Sequence, residues 1–65
     1  MKIEVNGKPV EAKATTLAAL LEELEYGDQK VATALNRQFV RATDRAVTAL
    51  APGDAVEVVV PRQGG

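Results

Sequence analysis

The chain has 65 residues, 46% of them hydrophobic, with no cysteine, no histidine and a formal net charge of -1, which bounds it to one small domain stabilised by packing alone. Thiolate and imidazole metal sites are excluded, and with them the usual side-chain general base near neutral pH. A pI of about 5.3 and only two aromatic side chains, Tyr26 and Phe39, supply neither the basic footprint nor the stacking platform of a nucleic-acid binder.

Residues 1–13 read as a hairpin. Ile3 and Val5 alternate with Lys2 and Glu4, the period-2 mark of a half-buried strand. Asn6-Gly7 provides two residues that tolerate positive φ, as a type I′ turn requires. Val10 and Ala12 return on a second strand, and Pro9, which cannot donate a ladder hydrogen bond, puts that strand at a sheet edge. Thr16 then caps a helix. Leu17, Leu20, Leu21 and Leu24 fall at i, i+3, i+4 and i+7, with Glu22, Glu23 and Glu25 on the solvated side and Gly27 as the left-handed stop. The leucine stripe is read as core, packed on Ile3, Val5, Val56 and Val58.

Residues 31–36 form a third strand with Val31, Thr33 and Leu35 inward, which obliges the Thr33 hydroxyl to find a partner. Asn36-Arg37-Gln38 reads as a turn and Phe39-Val40 as a short fourth strand. Residues 41–50 are of mixed polarity with no clean period, which leaves a turn of helix open, and Leu50 reads as a core plug. Pro52-Gly53-Asp54 is a turn signal. The last strand places Val56, Val58 and Val60 on one face and Glu57 and Val59 on the other. The order predicts an α+β fold: a β-grasp (ubiquitin-like) roll, a mixed sheet with one main helix packed on one face.

A domain over residues 1–60 and a flexible C-terminal tail over 61–65 are expected. The tail ends in Gly64-Gly65, and an extended run from Pro61 to Gly65 reaches at most ~17 Å. Glycine suits a tail that enters a partner's active site, because a slim backbone passes a narrow channel and accepts conformations closed to other residues. The unhindered carboxylate of Gly65 is the one group whose placement suggests chemistry. Val59, on the outward face of the last strand, with the small Ala32 and Ala34 beside it, is the candidate docking patch for that partner. No catalytic constellation and no metal site stands out among the other side chains.

Asn6-Gly7 in an opening hairpin, Val31-Ala32-Thr33-Ala34-Leu35-Asn36 followed by Phe39-Val40, Leu50, Pro52-Gly53-Asp54, Val56-Glu57 and terminal Gly64-Gly65 together resemble the sulfur-carrier family of thiamine biosynthesis, ThiS. The resemblance spans essentially the whole chain and implies the β-grasp fold. It also implies a carrier rather than an enzyme. An E1-like adenylating enzyme (ThiF-like) would activate Gly65 with ATP and Mg, a persulfide sulfur donor would convert it to a thiocarboxylate, and a thiazole synthase (ThiG-like) would consume the sulfur. No cofactor would be bound by the chain itself. Gly64, Gln63 and Arg62 would form the tail entering the partner's active site, with Arg62-Gln63 making it more polar than in some relatives.

Other readings share the tail. A molybdopterin-synthase small subunit or a carrier for cysteine or tRNA thiolation uses the same terminal chemistry. A ubiquitin-like modifier would form isopeptide bonds and could build chains on Lys2, Lys8, Lys13 or Lys30. An interaction module with a merely frayed terminus is the remaining class. No apolar run approaches the ~20 residues of a membrane span and no signal-peptide core opens the chain, so no membrane partner and a cytoplasmic location are expected.

Overall fold

In the computed structural model, which describes residues 1–27 and 29–61, Asn6 and Gly7 lie at φ 53° and 82°. They turn strand β1 (Lys2–Val5) back into β2 (Lys8–Glu11). Helix α1 (Leu17–Glu23) follows, then β3 (Ala32–Leu35), β4 (Gln38–Val40), a 3₁₀ helix (Ala42–Val47) and β5 (Ala55–Val59). The sheet order is β2-β1-β5-β3-β4. The last strand sits in the middle, parallel to β1 through Glu4↔Ala55 and Val5↔Val56 and antiparallel to β3 from Ala32↔Val59 to Leu35↔Val56. A parallel neighbour needs a long crossover, and here the helix supplies it while covering one face of the sheet. Pro9 lies on the edge strand β2, where its missing N–H costs no ladder bond.

Thr16 caps the helix, its Oγ1 accepting from the Ala19 amide at 3.2 Å. The stop differs from the expectation at Gly27. The helix ends in a Schellman pair, Tyr26 N–H to Leu21 C=O at 2.9 Å and Glu25 N–H to Glu22 C=O at 3.0 Å. The left-handed residue is therefore Glu25, at φ 67°. Tyr26, packed against the core from beyond the turn, supplies the apolar contact that commonly closes this motif.

Leu17 and Leu20 are fully buried and Leu21 nearly so, in one cluster with Ile3, Val5, Val56 and Val58; Leu24 is only partly buried at its margin. Burying each such leucine stabilises by ~1.5–3 kcal/mol, so a few side chains carry most of the fold. Glu23 is more than a solvated face. Its carboxylate accepts from the Lys13 amide at 3.1 Å and the Ala14 amide at 2.8 Å, tying the chain after β2 to the helix.

Thr33 is buried and satisfied: its hydroxyl donates to Val40 C=O at 2.7 Å and accepts from Arg45 Nε at 3.0 Å. Arg45 also reaches Val31 C=O at 2.6 Å, so the turn of helix left open over residues 41–50 is a 3₁₀ helix over Ala42–Val47 tied to β3 and the residue before it. Leu50 closes the core, held by its amide bond to Thr15 C=O at 2.9 Å. Gly53 at φ 88° after Pro52 has the pattern of a type II turn. Two further expectations are corrected. The second hairpin turn is Asn36-Arg37 alone, because Gln38 already pairs with Leu35. Val60 does not join Val56 and Val58 inward; it lies beyond β5 and is 52% exposed.

Candidate docking face and tail

Helix α1 covers one side of the sheet, so the residues alternating with the core stand on the other, outer face. Inward Val56 and Val58 force Glu57 and Val59 outward, and inward Thr33 forces Ala32 and Ala34 outward. Pairing fixes the rest. Ala32 lies opposite Val59, and Ala34 lies between Glu57 on β5 and Phe39 on β4. The structure therefore brings together the three residues expected to dock, with Val59 59% exposed. It adds Phe39, the most exposed aromatic side chain at 72%, and Glu57. Phe39 was placed on a strand by the sequence but on neither face. Register decides it: Thr33 pairs with Val40, so Val40 shares the inward side and Phe39 points outward beside Ala34.

These side chains line a hollow of about 180 Å³ over Ala34. A larger hollow of about 360 Å³, lined by Lys2, Pro9 and Pro52 among others, lies by the 51–54 turn, at the other end of β5 from Val59. Beyond Val59 the chain leaves the sheet through Val60 and Pro61, beside the Ala32–Val59 pair. Arg62, Gln63, Gly64 and Gly65 lie outside the described residues. Among the described residues, no group of three or more acidic side chains is placed to hold a metal ion, and no buried side-chain polar atom lacks a partner. No helix is long and apolar enough to cross a membrane.

A five-stranded mixed sheet, with the terminal strand central and parallel to the first and a helix across one face, is the β-grasp roll. Solved structures agree. A crystal structure of a thiamine biosynthesis protein (ThiS) from Geobacter metallireducens matches with a TM-score of 0.85 and 29% identity, covering 100% of both chains. An NMR solution structure of a thiamine biosynthesis protein from the same organism matches at 0.80 and 29% identity, covering 100% of this chain and 88% of that one. The sequence pattern of the ThiS family matches residues 3–65, and the chain belongs to that family. A comparison with curated protein sequences gives no match.

Proposed function

We propose that the protein is a sulfur carrier of thiamine biosynthesis, working in the cytoplasm as the substrate of partner enzymes. The reading is carried by a family match that runs from residue 3 through the terminal Gly64-Gly65. The domain, residues 1–60, docks; the tail, residues 61–65, reaches. An E1-like adenylating enzyme (ThiF-like) joins the Gly65 carboxylate to the α-phosphorus of Mg-ATP, and pyrophosphate leaves. The terminal sulfur of a persulfide donor attacks the acyl carbon and AMP departs. Thiol cleavage of the resulting acyl disulfide frees the thiocarboxylate, whose sulfur passes to a thiazole synthase (ThiG-like). A carboxylate is a poor electrophile, and adenylation supplies the leaving group it lacks. Positioning comes from docking through Val59, Ala32 and Ala34, with Arg62 and Gln63 leading the glycines into the active site.

Incubation with the adenylating enzyme, Mg-ATP and a persulfide donor is expected to raise the intact mass by the difference between sulfur and oxygen, mapped to Gly65. Deleting Gly65 is expected to abolish the change while the fold persists. Equal sulfuration of the truncated chain would overturn the reading. Conjugates on lysine side chains would point to a modifier instead.

A further inference from the structure

On the outer face, Glu57, Ala34 and Phe39 stand in one row across β5, β3 and β4. Adjacent strands lie ~4.8 Å apart, which sets the α-carbons of Glu57 and Phe39 about 10 Å from each other with only a methyl group between them. That spacing is the hollow of about 180 Å³, walled by Ala32 and Val59 along the strands. Glu57 makes no ion pair within 4.0 Å among the described residues. Arg37, which shares a neighbouring hollow with it, stays outside that distance. The result, among the described residues, is a carboxylate without an ion pair, set in an apolar patch and facing an aromatic ring across a gap.

A purely apolar partner surface would strip water from Glu57 and return nothing, which is costly. A cation on an apolar surface satisfies every wall of the hollow. It pairs with the Glu57 carboxylate, lies against the Phe39 ring within the ~6 Å of a cation–π contact, and lays its aliphatic stem over Ala34. A guanidinium fits best, because its edge can donate N–H bonds to the carboxylate while its plane stacks on the ring. We propose that Glu57 and Phe39 form a receptor for one arginine side chain of the adenylating partner, seated over Ala34. This rests on the carrier reading and gives the docking patch its selectivity: apolar area supplies contact, and the one charge chooses the partner.

The test is calorimetric titration of the full-length protein into the adenylating enzyme, at low and high salt. Glu57→Gln keeps size and hydrogen bonding but removes the charge; Phe39→Leu keeps apolar area but removes the ring. Both positions are exposed, so the fold is expected to persist, checked by amide NMR spectra. Glu57→Gln is expected to raise Kd about tenfold or more at low salt and to flatten its salt dependence. Phe39→Leu is expected to raise it about threefold, and the double variant to lose less than the product, because one cation touches both. Unchanged affinity in Glu57→Gln, an unchanged salt slope, or strictly multiplicative losses would overturn the receptor. If those results coincide with normal sulfuration at Gly65, the carrier reading stands and only the receptor falls. If the wild-type chain is neither bound nor sulfurated, both fall.

Discussion

The β1–β2 hairpin turns at Asn6-Gly7 and the β3–β4 hairpin at Asn36-Arg37, each with both turn residues at positive φ: 53° and 82° in the first, 50° and 70° in the second. In both, the asparagine side chain reaches across to β5. Asn6 accepts from Val58 N–H at 2.9 Å and donates to Val58 C=O at 3.1 Å. Asn36 accepts from Ala55 N–H at 2.9 Å and donates to Asp54 Oδ1 at 3.1 Å. The central strand is thus pinned at its start by one turn and near its end by the other. The hairpins differ on their outer faces, where β1 and β2 carry Lys2, Glu4, Pro9 and Glu11, and β3 and β4 carry Ala32, Ala34 and Phe39. The inner faces answer to one core and cannot diverge; the outer faces answer only to what they meet. The more apolar half adjoins the end of β5, and it is the half the proposed docking uses.

The largest test of this division is on the shared side. Leu20 is fully buried under the sheet, and Leu20→Ala is expected to cost ~2–5 kcal/mol by lost transfer energy and a cavity. Both hairpins should lose amide protection together in hydrogen exchange, since one cluster supports them. Loss confined to one hairpin would show two separable halves and break the comparison.

Much of this plan is readable in the sequence because it is periodic. The leucine spacing, the alternation around Ile3 and Val56, and Asn6-Gly7 each state their geometry locally. What is not readable is held by distant contacts. The 3₁₀ helix has no period of its own, and its Arg45 bonds to Thr33 on β3 and to Val31 just before it. Glu25 takes the left-handed stop, at φ 67°, although Gly27 follows two residues later and also lies at positive φ, 54°. Tertiary closure by Tyr26 overrides the local preference for glycine. The second turn is legible as a turn but not in its length: arginine does not announce a positive φ, and the pairing of Leu35 with Gln38 and the Asn36 bonds to Asp54 and Ala55 show what closes it in two residues. The docking face is half legible, since parity places Val59, while Phe39 needs the pairing of β4.

A smaller effect separates the two asparagines. Asn6→Gly and Asn36→Gly each keep the positive φ and remove the side-chain bonds, and the glycine backbone terms are shared by both, so the difference between them reports the bonds. Asn6 bonds a partly buried stretch and Asn36 an exposed one. Asn6→Gly is therefore expected to cost ~1–3 kcal/mol and Asn36→Gly about 1 kcal/mol or less. In exchange, the Val58 amide should open selectively in the first and the Ala55 amide in the second. Equal costs, or opening of the same amide in both, would mean the clamps are not independent.

The smallest effect concerns the second turn residue, where the hairpins differ most in conformational terms. An L-residue in the left-handed region costs ~1–2 kcal/mol, a cost Gly7 avoids and Arg37 bears. Glycine, however, loses more backbone freedom on folding, ~0.5–1 kcal/mol relative to alanine. The difference leaves Arg37→Gly stabilising by only about 0.5–1 kcal/mol. Gly7→Arg is expected to destabilise by a similar amount, with no clash, because open space surrounds the position a Cβ would take there. Urea midpoints of the two variants should move in opposite directions; positions 7 and 37 border the same small hollow, so the double variant is not expected to equal the sum of the two. If Arg37→Gly instead lowers the midpoint, the guanidinium contributes more than its backbone costs. The nearest groups that could explain this are Glu4 and Glu57, which line the same small hollow as Arg37; a salt-dependent loss would identify them, and the second turn would then be tuned for charge rather than left strained.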